Sequence, residues 1–192
     1  VSFKPLTIDY FANEYLFKYS EKRLFMSATI LSKEQFCKNL GLDLSETHFI
    51  QTPSTFPPEI RPIWITRSGR MGMRDIDKTL PVVVEDIKKI LNENKGVKGL
   101  IHCGTYKIAK YIEDHIHERV LFHDSETRED VLKEFMESTE PKVLVTPSMT
   151  EGVDLKDDLA RFVVIVKLPF LFLGDKQIKR RMEMDSEWYS WK

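Results

Sequence analysis

Short apolar runs alternate with helix-like stripes over most of the chain, and this alternation limits the folds open to it. Segments with apolar residues at helical spacing separate four such runs: VKGLIHC (97–103), VLFH (120–123), KVLVTPS (142–148) and RFVVIVKLP (161–169). Strands that alternate with helices are typical of βαβ units on a mainly parallel sheet, covered by helices on both faces. We therefore predict a three-layer α/β fold.

Two further apolar runs precede this alternating region. LFMSATIL (24–31) is bounded by charged residues, and RPIWIT (61–66) is followed by a helical stripe over 80–91. Both runs have the length and composition of buried strands. The predicted sheet therefore includes residues 24–30, 61–66, 98–103, 143–147 and 162–167.

Charge is unevenly distributed along the 192 residues, although the net charge is only -1. A net charge near zero argues for neither a nucleic acid nor a membrane as partner. Residues 61–78 nevertheless contain five basic and two acidic side chains, a net charge of +3. Residues 113–140 contain ten acidic and three basic side chains, a net charge of -7. The sequence thus predicts a basic segment followed by an acidic, solvated flank.

The two cysteines, Cys37 and Cys103, are too few and too far apart for a zinc or iron-sulfur site within the chain. We expect reduced thiols, no metal and an intracellular location, either cytoplasmic or in the nucleoid or nucleus. No run of about 18 apolar residues predicts a membrane span. The first residue is Val1 rather than Met, which suggests a fragment of a longer protein.

The loop after the run KVLV has the most informative composition. Gly152 permits a close approach of the backbone to a ligand, and Asp154 offers a carboxylate that can accept from a ribose hydroxyl. Thr146, Ser148 and Thr150 provide donors of the kind that hold phosphate oxygens. The alternative is an Asx-type turn in which glycine and aspartate only shape the backbone.

Gly104, Thr105 and Tyr106 lie between a predicted strand and a predicted helix. The free amides of a helix N-terminus bind anions, and Tyr106 could cover a base or a sugar. The alternative is an ordinary helix entry with Thr105 as the N-cap and Tyr106 in the core.

A basic loop follows the run RPIWIT and contains Arg67, Arg70 and Arg74 between glycines. Positive charge at the end of a strand suits a phosphate backbone. A solvated, mobile loop is an equally good interpretation of the same residues.

The run LFMSATIL is interrupted by Ser27, Ala28 and Thr29 near its predicted carboxyl end. These hydroxyls would either bind a ligand or cap the N-terminus of the next segment. His115, His117 and His123 match no metal-ligand spacing, so we interpret them as core or surface residues.

Four motifs in order resemble the second RecA-like domain of superfamily 2 DNA helicases of the XPD/DinG type. LFMSATIL is similar to the entry to motif III, GLIHCGTY to motif IV, VLVTPSMTEGVDL to motif V, and KLPF (167–170) to the segment that follows. Each motif alone is weak, but four in order at plausible spacing are specific. The resemblance covers nearly all of residues 1–192 and ends before motif VI.

The resemblance implies a role for each motif. It implies ATP binding by Glu151, Gly152 and Asp154, and coupling of hydrolysis to movement by Ser27, Ala28 and Thr29. For DNA it implies contacts from motifs IV and V, and we add the basic loop to these on its charge. The predicted DNA-binding residues are therefore Gly104, Thr105, Tyr106, Thr146, Pro147, Ser148, Arg67, Arg70 and Arg74.

Several expected parts of the motor are absent from this sequence. There is no G-x-x-x-x-G-K-[ST] loop and no Asp-Glu box for Mg²⁺. The resemblance places both in a preceding RecA-like domain, where an iron-sulfur cluster is also possible. Motif VI is missing too, so neither Arg180 nor Arg181 is assigned as an arginine finger. His102 and Cys103 depart from the residue types expected in motif IV.

We therefore predict part of an ATP-dependent DNA helicase, a hydrolase of the DNA-repair type. Its expected partners are single-stranded DNA and the missing first RecA-like domain, with ATP and Mg²⁺ bound by the full-length enzyme. The isolated fragment is predicted to be inactive, since the phosphate-cradling loop is lacking. The alternative is a non-enzymatic α/β domain that binds a nucleotide or a protein.

Overall fold

The computed structural model describes residues 4–147 and 153–191. Its longer elements in chain order are α1 (Asp9–Tyr15), α2 (Lys33–Leu40), α3 (Ile76–Glu93), β1 (Gly99–His102), α4 (Tyr106–His115), β2 (Val120–Phe122), α5 (Arg128–Glu137), β3 (Val143–Thr146), β4 (Phe162–Ile165), α6 (Lys176–Met184) and α7 (Ser186–Trp191). Short 3₁₀ helices span Phe17–Tyr19, Pro58–Ile60 and Asp157–Leu159.

The chain forms two compact units. One, called here the sheet unit, comprises residues 63–169, and the other, called the helical unit, is built from the segments on either side of it. The strands β1 to β4 all belong to the sheet unit. The assignment of residues 1–192 to one RecA-like domain stays a prediction.

The sheet has the strand order β2-β3-β1-β4, and every pairing is parallel. Gly99 of the central strand β1 is aligned with Val143 on one side and with Phe162 on the other. Parallel strands need long crossover connections, and the helices α4 and α5 lie in these connections. The mainly parallel α/β fold predicted from the alternating runs is thus confirmed.

Helices cover both faces of this sheet. On one face, α3 and α4 pack against Ile101, Val143 and Val145, all of which are fully buried. On the other face, Phe135 of α5 packs against Leu144 and is also fully buried. Successive strand residues point to opposite faces, so the apolar runs had to be continuous to supply both cores.

Arg119 lies at the amino ends of the strands of the sheet unit, where it joins several backbone segments. It has a left-handed backbone with φ of 65°. Its guanidinium donates to the carbonyls of Leu91, Asn94, Val97 and Pro141 at 2.7 to 3.1 Å. These carbonyls lie at the end of α3 and just before β1 and β3, so a single side chain satisfies groups that the helix and the loops leave unpaired.

The predicted strands at 24–30 and 61–66 are wrong. Within the described residues, neither segment pairs with a strand. Leu24 and Met26 are more than four-fifths exposed, as are Ile63 and Trp64. Pro62 has no N–H to donate to a ladder. Conversely, Val120–Phe122 is not among the strands predicted for the sheet, yet it forms the edge strand β2.

The helical unit has its own small set of contacts. Ser32 caps α2 by accepting from the amide of Gln35, and the left-handed Gly41 ends that helix. Trp188 of α7 is buried, with the guanidinium of Arg181 4.2 Å from the centre of its ring. Lys38 pairs with Asp185 at 2.8 Å, which ties α2 to the turn between α6 and α7.

Candidate functional site

The carboxyl ends of β1, β3 and β4 lie side by side. His102 is aligned with Thr146 on one side and with Ile165 on the other. Two backbone bonds of 2.9 Å extend the pairing past the strands, from Cys103 N–H to the Thr146 carbonyl and from Val166 N–H to the His102 carbonyl. Because loops leave a parallel sheet at this edge, it is the usual ligand-binding edge of such folds.

Gly104, Thr105 and Tyr106 form the loop that leaves β1. Gly104 has φ of +74°, a conformation that favours glycine, and it lies against the backbone of Lys167. The Thr105 hydroxyl accepts from the Ile108 amide at 3.3 Å and so caps α4. Tyr106 is 48% exposed. The predicted helix entry is therefore present, with the Tyr106 ring partly outside the core.

Lys167 is a functional candidate that the sequence interpretation missed. It lies just beyond the carboxyl end of β4, and its backbone carbonyl is 3.5 Å from the position that a Cβ on Gly104 would occupy. Within the described residues its ammonium group has no ion-pair partner. The sequence did contain a signal for this residue, since Lys167 lies at the end of a predicted strand. It is also the first residue of KLPF, but the resemblance assigns it no role.

The motif V segment leaves β3 at Thr146 and Pro147, both of which are buried. The Thr146 hydroxyl lies 2.9 Å from the His123 ring. The predicted site residues Ser148, Glu151 and Gly152 lie outside the described residues. Val153 and Leu155 pack against the cluster around Phe135 and Leu144.

Asp154 lies between these two packed side chains and points away from the core. Its carboxylate is 72% exposed and pairs with Lys156 at 3.1 Å. An exposed carboxylate is accessible to a ligand hydroxyl, from which it can accept hydrogen bonds. An aspartate buried in the core would have spoken against a ligand-binding role.

The basic loop is anchored to α3. Ser68 donates to the Asp86 carboxylate at 2.6 Å, which holds the pKa of Asp86 below its usual value. The Thr79 hydroxyl donates to the Arg70 carbonyl at 2.9 Å, and Met71 packs against the core of the sheet unit. These contacts favour an ordered loop over a mobile one.

The three arginines of this anchored loop, Arg67, Arg70 and Arg74, are all exposed. Within residues 4–147 and 153–191, none of them forms an ion pair. A cleft of 120 Å³ beside the loop is lined by Ser68, Asp86 and residues 164–166. The basic loop thus begins close to the carboxyl end of β4, at the same edge of the sheet as Lys167.

Ser27, Ala28 and Thr29 belong to the helical unit. They form an exposed turn in which the Thr29 amide donates to the Ser27 hydroxyl at 3.3 Å. The predicted coupling role of these residues stays a prediction. The structure brings together four of the predicted residues of the sheet unit, Gly104, Thr105, Thr146 and Pro147, along one sheet edge.

A larger cavity of 460 Å³ lies at the opposite edge of the sheet. It is lined by the ends of α3 and α4 and by His117 and Arg119. The Arg119 guanidinium is already committed to backbone carbonyls there. This cavity lies at the amino ends of the strands. Since ligands of open parallel sheets bind at the carboxyl ends of the strands, we assign the candidate site to the carboxyl edge and not to this cavity.

Metal-ligating groups do not converge in the part of the chain that the structure describes. Burial raises the pKa of the Cys103 thiol to about 12, so it stays protonated and is a poor ligand. The described donors at this edge are hydroxyls, amides and one exposed carboxylate, which do not fit a resident Mg²⁺. Among the described helices, none is long and apolar enough to cross a membrane.

A parallel α/β sheet with polar loops along its carboxyl edge is the architecture expected of a RecA-like helicase domain. Residues 88–190 match the helicase C-terminal domain family, and the chain belongs to that family. The similarity to a C-terminal helicase domain inferred from the four motifs is thereby confirmed.

Two bacterial proteins are similar to most of the chain. The chain is 25% identical over 170 residues to the ATP-dependent DNA helicase YoaA of Haemophilus influenzae, and 22% identical over 163 residues to that of Escherichia coli. Each alignment covers 83% of the chain and 26% of the relative. The chain therefore spans about a quarter of the length of these relatives.

Proposed function

We propose that this chain is the C-terminal motor domain of an ATP-dependent DNA helicase, where it forms one wall of the ATP cleft and part of the track for single-stranded DNA. The observation that carries the proposal is the convergence of the loops after β1, β3 and β4 at one sheet edge, with the anchored arginine loop beside them. The names of the two similar proteins support ATP as the nucleotide that is hydrolysed and DNA as the substrate.

Asp154 is the proposed contact to the nucleotide. Its exposed carboxylate would accept hydrogen bonds from the ribose hydroxyls, with Glu151 and Gly152 beside it in sequence. Mg²⁺ would be held by residues of the preceding RecA-like domain, since the described residues of this chain do not fit it. The chain alone should therefore bind ATP weakly and release no phosphate.

Two groups of residues are the proposed contacts to DNA. Gly104, Thr105 and Tyr106 offer amides, a capped helix N-terminus and a half-exposed ring for a phosphate and a base. Arg67, Arg70 and Arg74 offer exposed positive charge to the next phosphates. Such contacts to backbone and base faces bind single strands with little preference for sequence.

The nucleotide role is tested on the full-length protein by phosphate release with Mg-ATP and single-stranded DNA. Asp154→Ala should lower ATP turnover by about tenfold or more, because the variant can no longer hold the ribose in the transition state. The matched control is Asp158→Ala, which removes an exposed carboxylate that pairs with Arg161. Equal turnover in the two variants would refute the role of Asp154, and the isolated chain serves as the inactive reference.

The DNA role is tested on the same protein by the salt dependence of single-stranded DNA binding. Replacing Arg67, Arg70 and Arg74 by alanine should reduce the log-log slope by about 0.7 for each phosphate that the protein no longer neutralises. The control variant replaces Lys88, Lys110 and Lys142, each of which is paired with a nearby carboxylate away from the basic loop. It removes the same charge, so an equal slope in both variants would exclude the loop as a specific contact.

A further inference from the structure

His123 is a buried polar residue at the carboxyl end of β2, and both of its ring nitrogens have partners. It is 7% exposed. Its Nδ1 lies 2.8 Å from the carbonyl of Asp124, and its Nε2 lies 2.9 Å from the hydroxyl of Thr146. A buried imidazole bonded on both sides is held in one orientation.

The partner on the Nδ1 side fixes the tautomer of the ring. A carbonyl oxygen only accepts, so Nδ1 must carry a proton and donate to Asp124. In the neutral ring, Nε2 is then an acceptor, and the Thr146 hydroxyl donates to it. Thr146 is thus joined through its hydroxyl to His123.

The Asp124 carbonyl is held in place by the start of α5. The Asp124 carboxylate accepts from the amides of Glu126 and Thr127, each at 2.8 Å, and from the Thr127 hydroxyl at 2.9 Å. These bonds hold the pKa of Asp124 below its usual value, the amide of Thr127 being the largest cause. His123 therefore has a rigid anchor on one side.

Thr146 is the junction between two of the loops at the candidate site. Its carbonyl accepts from Cys103 N–H, one residue before Gly104, and its side chain is fully buried against His123. Pro147 follows directly, just after the end of β3. A shift of Thr146 would therefore displace the starting points of the proposed nucleotide and DNA contacts together.

We propose that His123 is a positioning residue, which holds Thr146 through Nε2 and so fixes the points at which the motif IV and motif V loops leave the sheet. This inference rests on the proposed helicase function. Thr146 then acts on DNA indirectly, through the backbone that it positions. No described contact joins His123 to an expected ligand group, so its effect passes through Thr146.

The test compares DNA-stimulated with unstimulated ATP turnover of the full-length protein. His123→Ala and Thr146→Val should each reduce the ratio of the two rates by about tenfold, because the points at which the two loops leave the sheet are no longer fixed. A lower folded fraction alone would reduce both rates equally and leave the ratio unchanged. Thr146→Ser keeps the hydroxyl and should keep the ratio within about twofold.

The double variant His123→Ala/Thr146→Val should be no worse than Thr146→Val alone, since His123 acts through Thr146. The matched control is His115→Ala, which removes an exposed histidine from α4 and should leave the ratio unchanged. A wild-type ratio in folded His123→Ala would overturn the inference. If His123→Ala does not fold, two other variants take its place in the test. Thr146→Val should reduce the ratio, and His123→Gln, whose amide can donate and accept, should preserve it.

Hydrogen exchange separates this inference from the helicase function. Exchange over residues 143–146 of the full-length protein should accelerate about tenfold in His123→Ala, with residues 83–91 of α3 as the internal reference. Unchanged exchange would overturn the positioning role even in an active helicase. If the wild-type protein shows no ATP turnover but exchange still accelerates in His123→Ala, the helicase proposal is refuted and the positioning role is kept.

Discussion

Ile101 in β1 and Ile63 before the basic loop lie in apolar runs of similar length, yet Ile101 is fully buried and Ile63 is 88% exposed. β1 has a parallel partner on each side and helices over its face. The segment around Ile63 has no strand partner within the described residues. Apolar composition alone therefore does not make a strand, and a partner for the backbone is also needed.

The largest effect that separates these two regions should come from removing the isoleucine side chains. Ile101→Ala should lower the free energy of unfolding of the chain by about 3 kcal/mol, through lost burial and a residual cavity. Ile63→Ala should change it by less than about 0.5 kcal/mol. Urea denaturation measures both, and equal losses would mean that the exposed segment is packed in solution.

Arg119, at the amino ends of the strands, and Arg70, in the basic loop, differ in the same way. Arg119→Ala should cost about 2 kcal/mol of unfolding free energy, since several backbone carbonyls lose a charged donor. Arg70 is exposed, and its alanine variant should be within about 0.5 kcal/mol of wild type. A stable Arg119→Ala protein would show that water replaces the guanidinium without loss.

The smallest effect should come from the bond that anchors the basic loop. Ser68→Ala should cost about 1 kcal/mol at pH 7, against no measurable change for the exposed Ser20→Ala. Because the bond depresses the pKa of Asp86, its contribution is present above the ordinary aspartate pKa and is lost as the pH falls through the lower, folded value.

Carboxyl chemical shifts provide the measurement for this anchor. In Ser68→Ala the pKa of Asp86 should rise toward its ordinary value, and the stability difference from wild type should vanish in acid. A pKa of Asp86 that does not move would assign its depression to Lys89, which lies 3.3 Å away, instead of to Ser68.

The sheet could be predicted from the sequence where strands and helices alternate without interruption. β1, β3 and β4 lie within the predicted runs, because short continuous apolar runs between helices are typical of strands buried on both faces of a covered sheet. The same reasoning failed for 24–30 and 61–66, where the pattern indicates burial but cannot say which backbone pairs with it. Tertiary context decided those cases.

The candidate site could be predicted in part. The loops after β1 and β3 follow from the rule for parallel sheets, which also brings Lys167 to the same edge. The bond between His123 and Thr146 could not be predicted, since it joins the residue after β2 to a residue of β3, 23 positions further along the chain. Polar pairs of this kind depend on the strand order, and periodicity carries no information about that order.

The central position of β1 has a consequence for the order of events during synthesis. Gly99 pairs with Val143 and Phe162, so β1 leaves the ribosome well before either neighbour exists. Until then Leu100 and Ile101 lie on a strand with two open edges, which is a template for aggregation. A nascent chain that stalls before β3 should therefore recruit chaperones, and one that has passed β4 should no longer need them.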